Sequence, residues 1–106
     1  MIDEATIQQA VELLRQAAPG ATVIVFGSCA RGEITEDSDL DVLVVEPNVT
    51  ARHEEMVRLS DVLRPLQIPV DVLVASKETF EYWADTPNTI YHEVAREGRV
   101  FDATLP

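Results

Sequence analysis

Cysteine is nearly missing from this chain: Cys29 is the only one in 106 residues. A lone thiol excludes an internal disulfide and the usual multi-thiolate zinc sites. Histidine is almost as scarce. His53 and His92 lie far apart, and neither stands one helical turn from a second strong ligand, so both read as surface or helix-face residues. Basic residues are few. Eight Lys and Arg against nineteen Asp and Glu leave a net charge of −11. Such a surface repels phosphate backbones and argues against direct nucleic-acid binding. It leaves room for a single nucleotide, because a bound divalent cation inverts the local field. A basic protein partner is equally compatible. No apolar run approaches the roughly 18 residues that span a bilayer, and Met1-Ile2-Asp3-Glu4 lacks the basic-then-apolar order of a signal peptide. A cytoplasmic protein with one domain over residues 1–106 is the expectation.

What is present is enough for one core, with 46% hydrophobic residues. Ile7, Ala10, Val11, Leu14 and Ala18 recur at helical spacing and predict a helix over residues 3–18, capped by Asp3 and ended by Pro19-Gly20. Residues 21–26 form a β-branched run that reads as a buried strand broken by Gly27. A polar connection over residues 28–38 follows, with a helical turn at Ser28–Arg31, and residues 40–45 predict a second strand. A helix over 50–64 shows Met56, Leu59, Val62 and Leu63 on its apolar side, and Pro65 and Pro69 bracket a turn. Residues 70–75 predict a third strand, and Ser76 caps a short helix to about Asp85. Thr86-Pro87 reads as cap and first residue of a last helix closed by Gly98, and residues 99–102 as a final edge strand. Tyr82 and Trp83 are expected to pack on the core. The alternation of helices and strands predicts an α/β fold, a sheet with helices packed on it.

The chemistry concentrates between Gly27 and Asp41. A strand that runs into a glycine lets backbone approach a ligand closely. Ser28 then opens a helical turn whose outward N–H groups and hydroxyl favour an anion. Asp39 and Asp41 are two apart, so on a strand they project from one face with Cα atoms roughly 6.6–7 Å apart. Two such carboxylates repel unless a cation sits between them. Magnesium takes carboxylate oxygens and completes its shell with water and phosphate. A phosphate seat beside a carboxylate pair is the apparatus of metal-assisted phosphoryl or nucleotidyl transfer. Asp71 stands inside the third apolar strand. If that strand lies beside the Asp39–Asp41 strand, Asp71 can join the metal site or act as base on an attacking hydroxyl. Arg31 suits either a phosphate or one of Glu33, Glu36 and Asp37. Ser38 is a candidate nucleotide contact that equally suits ordering the turn backbone. Cys29 fits a small residue on a tight turn.

Gly27-Ser28, ten residues, then Asp39-x-Asp41 resembles the signature of the DNA polymerase beta nucleotidyltransferase superfamily. The fuller pattern, Gly-Ser-x-Ala-Arg-Gly at 27–32 and Ser-Asp-x-Asp-x-x-Val at 38–44, is similar to its minimal nucleotidyltransferase branch, as is the stretch from Glu93 through Gly98 to Phe101. The resemblance covers nearly the whole chain. It implies a small mixed, mainly antiparallel sheet flanked by helices, a triphosphate (ATP above all) and two Mg2+ ions. It implies Gly27 and Ser28 on the triphosphate with Arg31 near the phosphates, and Asp39, Asp41 and Asp71 on metal. Members of the branch pair with a helical HEPN-type toxin, and some neutralise it by transferring AMP to a partner tyrosine. Three functions follow: transfer to a protein partner as an antitoxin, masking of that partner by binding alone, and transfer to a small molecule such as an aminoglycoside.

Overall fold

The computed structural model describes residues 2–102, with the side chain of Asp102 left aside. Helix α1 spans Glu4–Ala17, capped by the Asp3 carboxylate, which accepts from the Thr6 N–H at 2.8 Å. Strand β1 (Thr22–Phe26) leads into the one-turn helix α2 (Ser28–Arg31). Strand β2 (Leu40–Glu46) is followed by helix α3 (Arg52–Val62), a 3-10 turn at Arg64–Leu66 and strand β3 (Val70–Ser76). Helices α4 (Lys77–Trp83) and α5 (Ile90–Glu97) precede strand β4 (Arg99–Asp102).

The sheet is four-stranded in the order β3-β2-β1-β4. β1 runs antiparallel to β2 and to β4, whereas β2 and β3 are parallel. Among the described residues the fold is thus a small mixed, mainly antiparallel sheet flanked by five helices, as expected. Strand side chains alternate between faces, and both faces are apolar here. Val23, Val25, Val42, Val44, Val72 and Val74 belong to one buried cluster with Ile7 and Leu14 of α1 and Leu59 of α3. Ile24, Phe26, Leu43, Val45 and Ala75 belong to the other, closed by Val94 of α5 with Phe80 and Tyr91 at its margin. Arg99 clamps β4 to α1 through paired hydrogen bonds to Glu4, both 2.9 Å.

Two sequence expectations need correction in the α4–α5 region. The last helix begins at Ile90, with Thr89 rather than Thr86 as its cap: the Thr89 hydroxyl accepts from the His92 N–H. The left-handed backbone of Asn88, at φ 69°, prevents a helix from running through from Pro87. Tyr82 and Trp83 do not pack on the core. They are 72% and 40% exposed and stack edge-to-face on each other at 4.9 Å between ring centroids. α4 buries only one side, through Phe80, and is too short to turn all three aromatics inward. Gly98 ends α5 with extended, not left-handed, backbone. A side chain there would strike Ile24 and the Val94 carbonyl, so the position is set by close approach to β1.

At the far end of β2, Glu46 lies against Glu55 and Arg58 of α3. Its Oε2 is buried with no hydrogen-bond partner among the described residues. Burial, a hydrogen bond to Glu55 and repulsion from it push Glu46 up to about 7, while Arg58 opposes the shift. Glu55 is held low, chiefly by Arg58, which donates to it at 2.7 Å, so the proton of the pair resides on Glu46. A carboxyl raised in the fold binds protons there that the unfolded chain has already released, so stability falls as pH rises from the ordinary glutamate range through about 7. Glu46→Gln should therefore raise the melting temperature above neutrality and leave it nearly unchanged at acidic pH, by about 4–8 °C per kcal/mol recovered. Melting curves of both forms across pH test this; a rise of equal size at every pH would show that ionisation of Glu46 is not the cause.

Candidate active site

The site is built where β1 ends and β2 begins. Parallel pairing places Leu40 opposite Val70 and Asp41 opposite Asp71. The Leu40 N–H donates to the Pro69 carbonyl at 2.9 Å, which fixes that register at its first rung. Asp41 and Asp71 stand two residues before Leu43 and Leu73 and so share their strand face, which points both carboxylates to the α5 side. Asp71 is exposed, Asp41 half-buried and Asp39 exposed just before β2. Burial pushes Asp41 above the usual carboxylate range, and Asp71, Asp39 and Glu93 add to the shift by repulsion, with Arg31 opposing. Asp41 is therefore the centre of a like-charged group drawn from three segments of the chain.

Gly27 closes over it. Its backbone has φ 72° and ψ −153°, a conformation that side chains avoid. A Cβ built there would collide with the Asp41 carboxylate, whose Cγ would lie 3.3 Å away. The turn α2 follows at once. Ala30 and Arg31 donate back to the Gly27 carbonyl, at 3.1 and 3.2 Å, leaving the Ser28 and Cys29 N–H groups at the open end of the turn. Ser28 is half-buried, and its hydroxyl has no partner among the described residues.

Cys29 anchors the turn. It is buried, and its thiol donates to the Asp39 carbonyl across 3.5 Å. Burial and the charges of Asp41 and Asp39 push the thiol up, which keeps it protonated and a donor. The sequence showed only a small residue on a turn; this link from α2 to the backbone of Asp39 was not legible in it.

Arg31 finds its partners among glutamates. Nε donates to Glu33 at 3.1 Å, and Nη1 lies 3.9 Å from Glu93 and 3.7 Å from Glu97 on α5. The two α5 carboxylates went unnoticed in the sequence because nothing local pairs them with Arg31. The Ser38 hydroxyl accepts from the Thr35 N–H at 2.8 Å and so orders the acidic loop. Glu33, Glu36 and Asp37 in that loop are exposed.

The donor set of hard carboxylate oxygens suits magnesium. Among the described residues, however, no three carboxylate, imidazole or thiolate groups converge closely enough to enclose a metal ion by themselves. That arrangement is compatible with an ion held by one or two carboxylates and completed by phosphate and water, the usual habit of magnesium.

The nucleotidyltransferase domain family matches residues 7–96 of this sequence. The chain belongs to that family. It is 30% identical over 103 residues to a candidate protein adenylyltransferase of Methanocaldococcus jannaschii, a match covering 94% of this chain and 98% of the relative. The fold resembles the crystal structure of a candidate nucleotidyltransferase from Sulfolobus solfataricus, with a TM-score of 0.61 and 22% identity over 92% of this chain and 77% of the other. The family brings with it a transferase chemistry, a nucleoside triphosphate as substrate and a general use of divalent metal. Among the described residues no helix is long and apolar enough to cross a membrane.

The contact between Gly27 and Asp41 can be isolated. Gly27→Ala and Gly20→Ala both place a side chain at positive φ, but nothing lies within 4 Å of the Gly20 position. Both should destabilise through backbone strain of order 1–3 kcal/mol. Gly27→Ala should lose more, because Asp41 must also move. Urea unfolding of the two variants measures the difference; equal losses would mean that Gly27 is required for its backbone alone.

Proposed function

We propose that this nucleotidyltransferase moves AMP from ATP to a hydroxyl of a protein partner, and that it does so as the antitoxin of a HEPN-type helical protein. The observation that carries the reading is the pairing of Asp41 with Asp71 across the parallel ladder, beneath Gly27 and beside the open end of α2. The relative in Methanocaldococcus jannaschii, named for protein adenylylation, supports the protein acceptor. The antitoxin role extends the resemblance of the Gly27–Gly32 and Ser38–Val44 motifs.

Asp39, Asp41 and Asp71 are the residues that would hold magnesium, two ions in the form proposed. Bound there, magnesium would offset the repulsion between these acids and the triphosphate and stabilise charge on the departing pyrophosphate. The rest falls to the chain itself. Gly27 keeps its backbone bare beside the Asp41 carboxylate at the entry to the phosphate seat, and the Ser28 hydroxyl with the first N–H groups of α2 can donate to the phosphates. Arg31 is the nearby cation for the phosphate charge. The acceptor oxygen forms a bond to the α-phosphorus, the bond from the α-phosphorus to the oxygen bridging toward the β-phosphate breaks, and pyrophosphate leaves. The hydroxyl proton passes to the exposed Asp71 carboxylate, which is placed on the same face as Asp41. AMP on a tyrosine near an RNA-cleaving site would add charge and bulk where RNA must lie.

Two measurements test the reading. ATP should bind measurably in magnesium and at least about tenfold more weakly in EDTA, because acids and triphosphate repel without the cation. Equal affinity by calorimetry in both would remove the proposed site. Asp39→Asn and Asp41→Asn should each abolish transfer, read by intact mass of a co-expressed HEPN-type partner. Their melting temperatures in EDTA should hold or rise, since each variant removes one charge from a mutually repelling group of acids. A partner that stays unmodified yet inhibited with wild type and variants alike would favour masking by binding alone.

A further inference from the structure

The apolar surface that α4 and α5 leave uncovered adjoins the acidic site. Tyr82 and Trp83 end α4 as a stacked pair, exposed to 72% and 40%. The Trp83 carbonyl accepts from the Thr89 hydroxyl at 3.2 Å, which brings the end of α4 against the start of α5. Ile90, the next residue, is 39% exposed. Ile90 and Glu93 line one groove of about 460 Å3 along the first turns of α5. Glu93 in turn lies 3.9 Å from Arg31 and Glu97 3.7 Å from it, so the groove is linked through Arg31 to the turn that follows β1.

Aromatic and aliphatic side chains left bare beside a site are the composition of a binding anchor. The charge around them decides what binds. Residues 77–98 carry Glu78, Glu81, Asp85, Glu93 and Glu97, all exposed, against Lys77 and Arg96. A second copy would bring these acids against their own kind on a chain of net charge −11. A basic chain would instead meet complementary charge around an apolar centre.

We propose that the α4–α5 face, anchored by Tyr82, Trp83 and Ile90, is the docking surface for the acceptor: a basic polypeptide segment that lays its hydroxyl-bearing side chain along the groove past Glu93 toward Asp41. This deepens the adenylylation reading and rests on it for the identity of the occupant as the acceptor. It supplies the recognition that the compact site itself does not provide.

Trp83 is the only tryptophan of the chain, so its fluorescence reports on this face alone. The test titrates the wild-type protein with a random lysine–tyrosine copolymer, exciting at the red edge where tyrosine does not absorb. Saturable binding with a blue shift of Trp83 emission is expected, and none with a glutamate–tyrosine copolymer. Tyr82→Ala combined with Ile90→Ala should weaken binding roughly fivefold or more, the loss typical of anchor residues. Val57→Ala, which removes a comparably exposed apolar side chain on α3, should change nothing. All of these residues are exposed, so the variants should fold, which circular dichroism checks. Copolymer binding seen by anisotropy without a change in Trp83 emission would overturn the proposal, as would equal weakening by Val57→Ala. Self-association by sedimentation that disappears in the double variant would also overturn it, by making a second copy the occupant. Magnesium–ATP affinity is measured on the same samples and should be the same in wild type and the double variant. Absence of ATP binding in the wild type would defeat the adenylylation reading while leaving the fluorescence result to judge the docking surface.

Discussion

The parallel register of β2 against β3 is the constraint on which the rest depends. It sets Asp41 opposite Asp71 on one face and, through the alternation of strand side chains, Val42 opposite Val72 and Val44 opposite Val74 on the other. A slip of one residue would turn Asp41 into the core beneath α1 and α3 and bring Val42 to the acidic face. Burying an unpaired carboxylate costs several kcal/mol, so the apolar face enforces the register that the acids alone would oppose. The repulsion between Asp41 and its neighbours is thus stored in the fold and held there by the valines behind it.

The turn after β1 is fitted to that arrangement. Gly27 can take its backbone conformation because it has no side chain, and the same lack leaves room for the Asp41 carboxylate. Cys29 then ties the turn to the chain on the far side of the acidic loop through the carbonyl of Asp39. The two halves of the motif, ten residues apart in sequence, are joined by one thiol–carbonyl contact and one glycine–carboxylate contact. Ser38 secures the loop between them by accepting from the Thr35 N–H, and Ile34 packs against the core from the same loop.

Much of this could be seen in the chain. The β-branched runs before Gly27, after Asp39 and around Asp71 mark strands β1, β2 and β3, and Asp3 and Ser76 mark two helix starts by their capping chemistry. What could not be seen is non-local. Whether β3 ran parallel to β2, and hence whether Asp71 came near Asp41, is a matter of topology that residue pattern does not encode. The partners of Arg31 on α5 and the Glu46–Glu55 pair join residues from different elements with no local signature. The start of α5 is ambiguous in sequence for a local reason: Thr86-Pro87 and Thr89 both offer a cap, and the left-handed Asn88 decides between them. Hydrophobicity alone points Tyr82 and Trp83 to the core, yet a helix of seven residues leaves them outside.

Arg31 joins the two parts of the molecule that the functional reading brings together. It is held by Glu33 from its own loop and by Glu93 and Glu97 from α5, and it is the cation that lowers Asp41 against the surrounding acids. Its side chain is 38% exposed, and ion pairs so open to solvent are weak. A triphosphate carries more charge than any of these glutamates and presents it to the guanidinium in a geometry suited to paired hydrogen bonds. It would therefore draw Arg31 away from α5 at little energetic cost. Glu93 and Glu97, released from that pairing, would stand with bare charge along the groove where a basic acceptor is proposed to lie. On this reading, occupation of the nucleotide seat strengthens the acidic field of the docking face, so nucleotide and acceptor favour each other's binding through a single shared arginine.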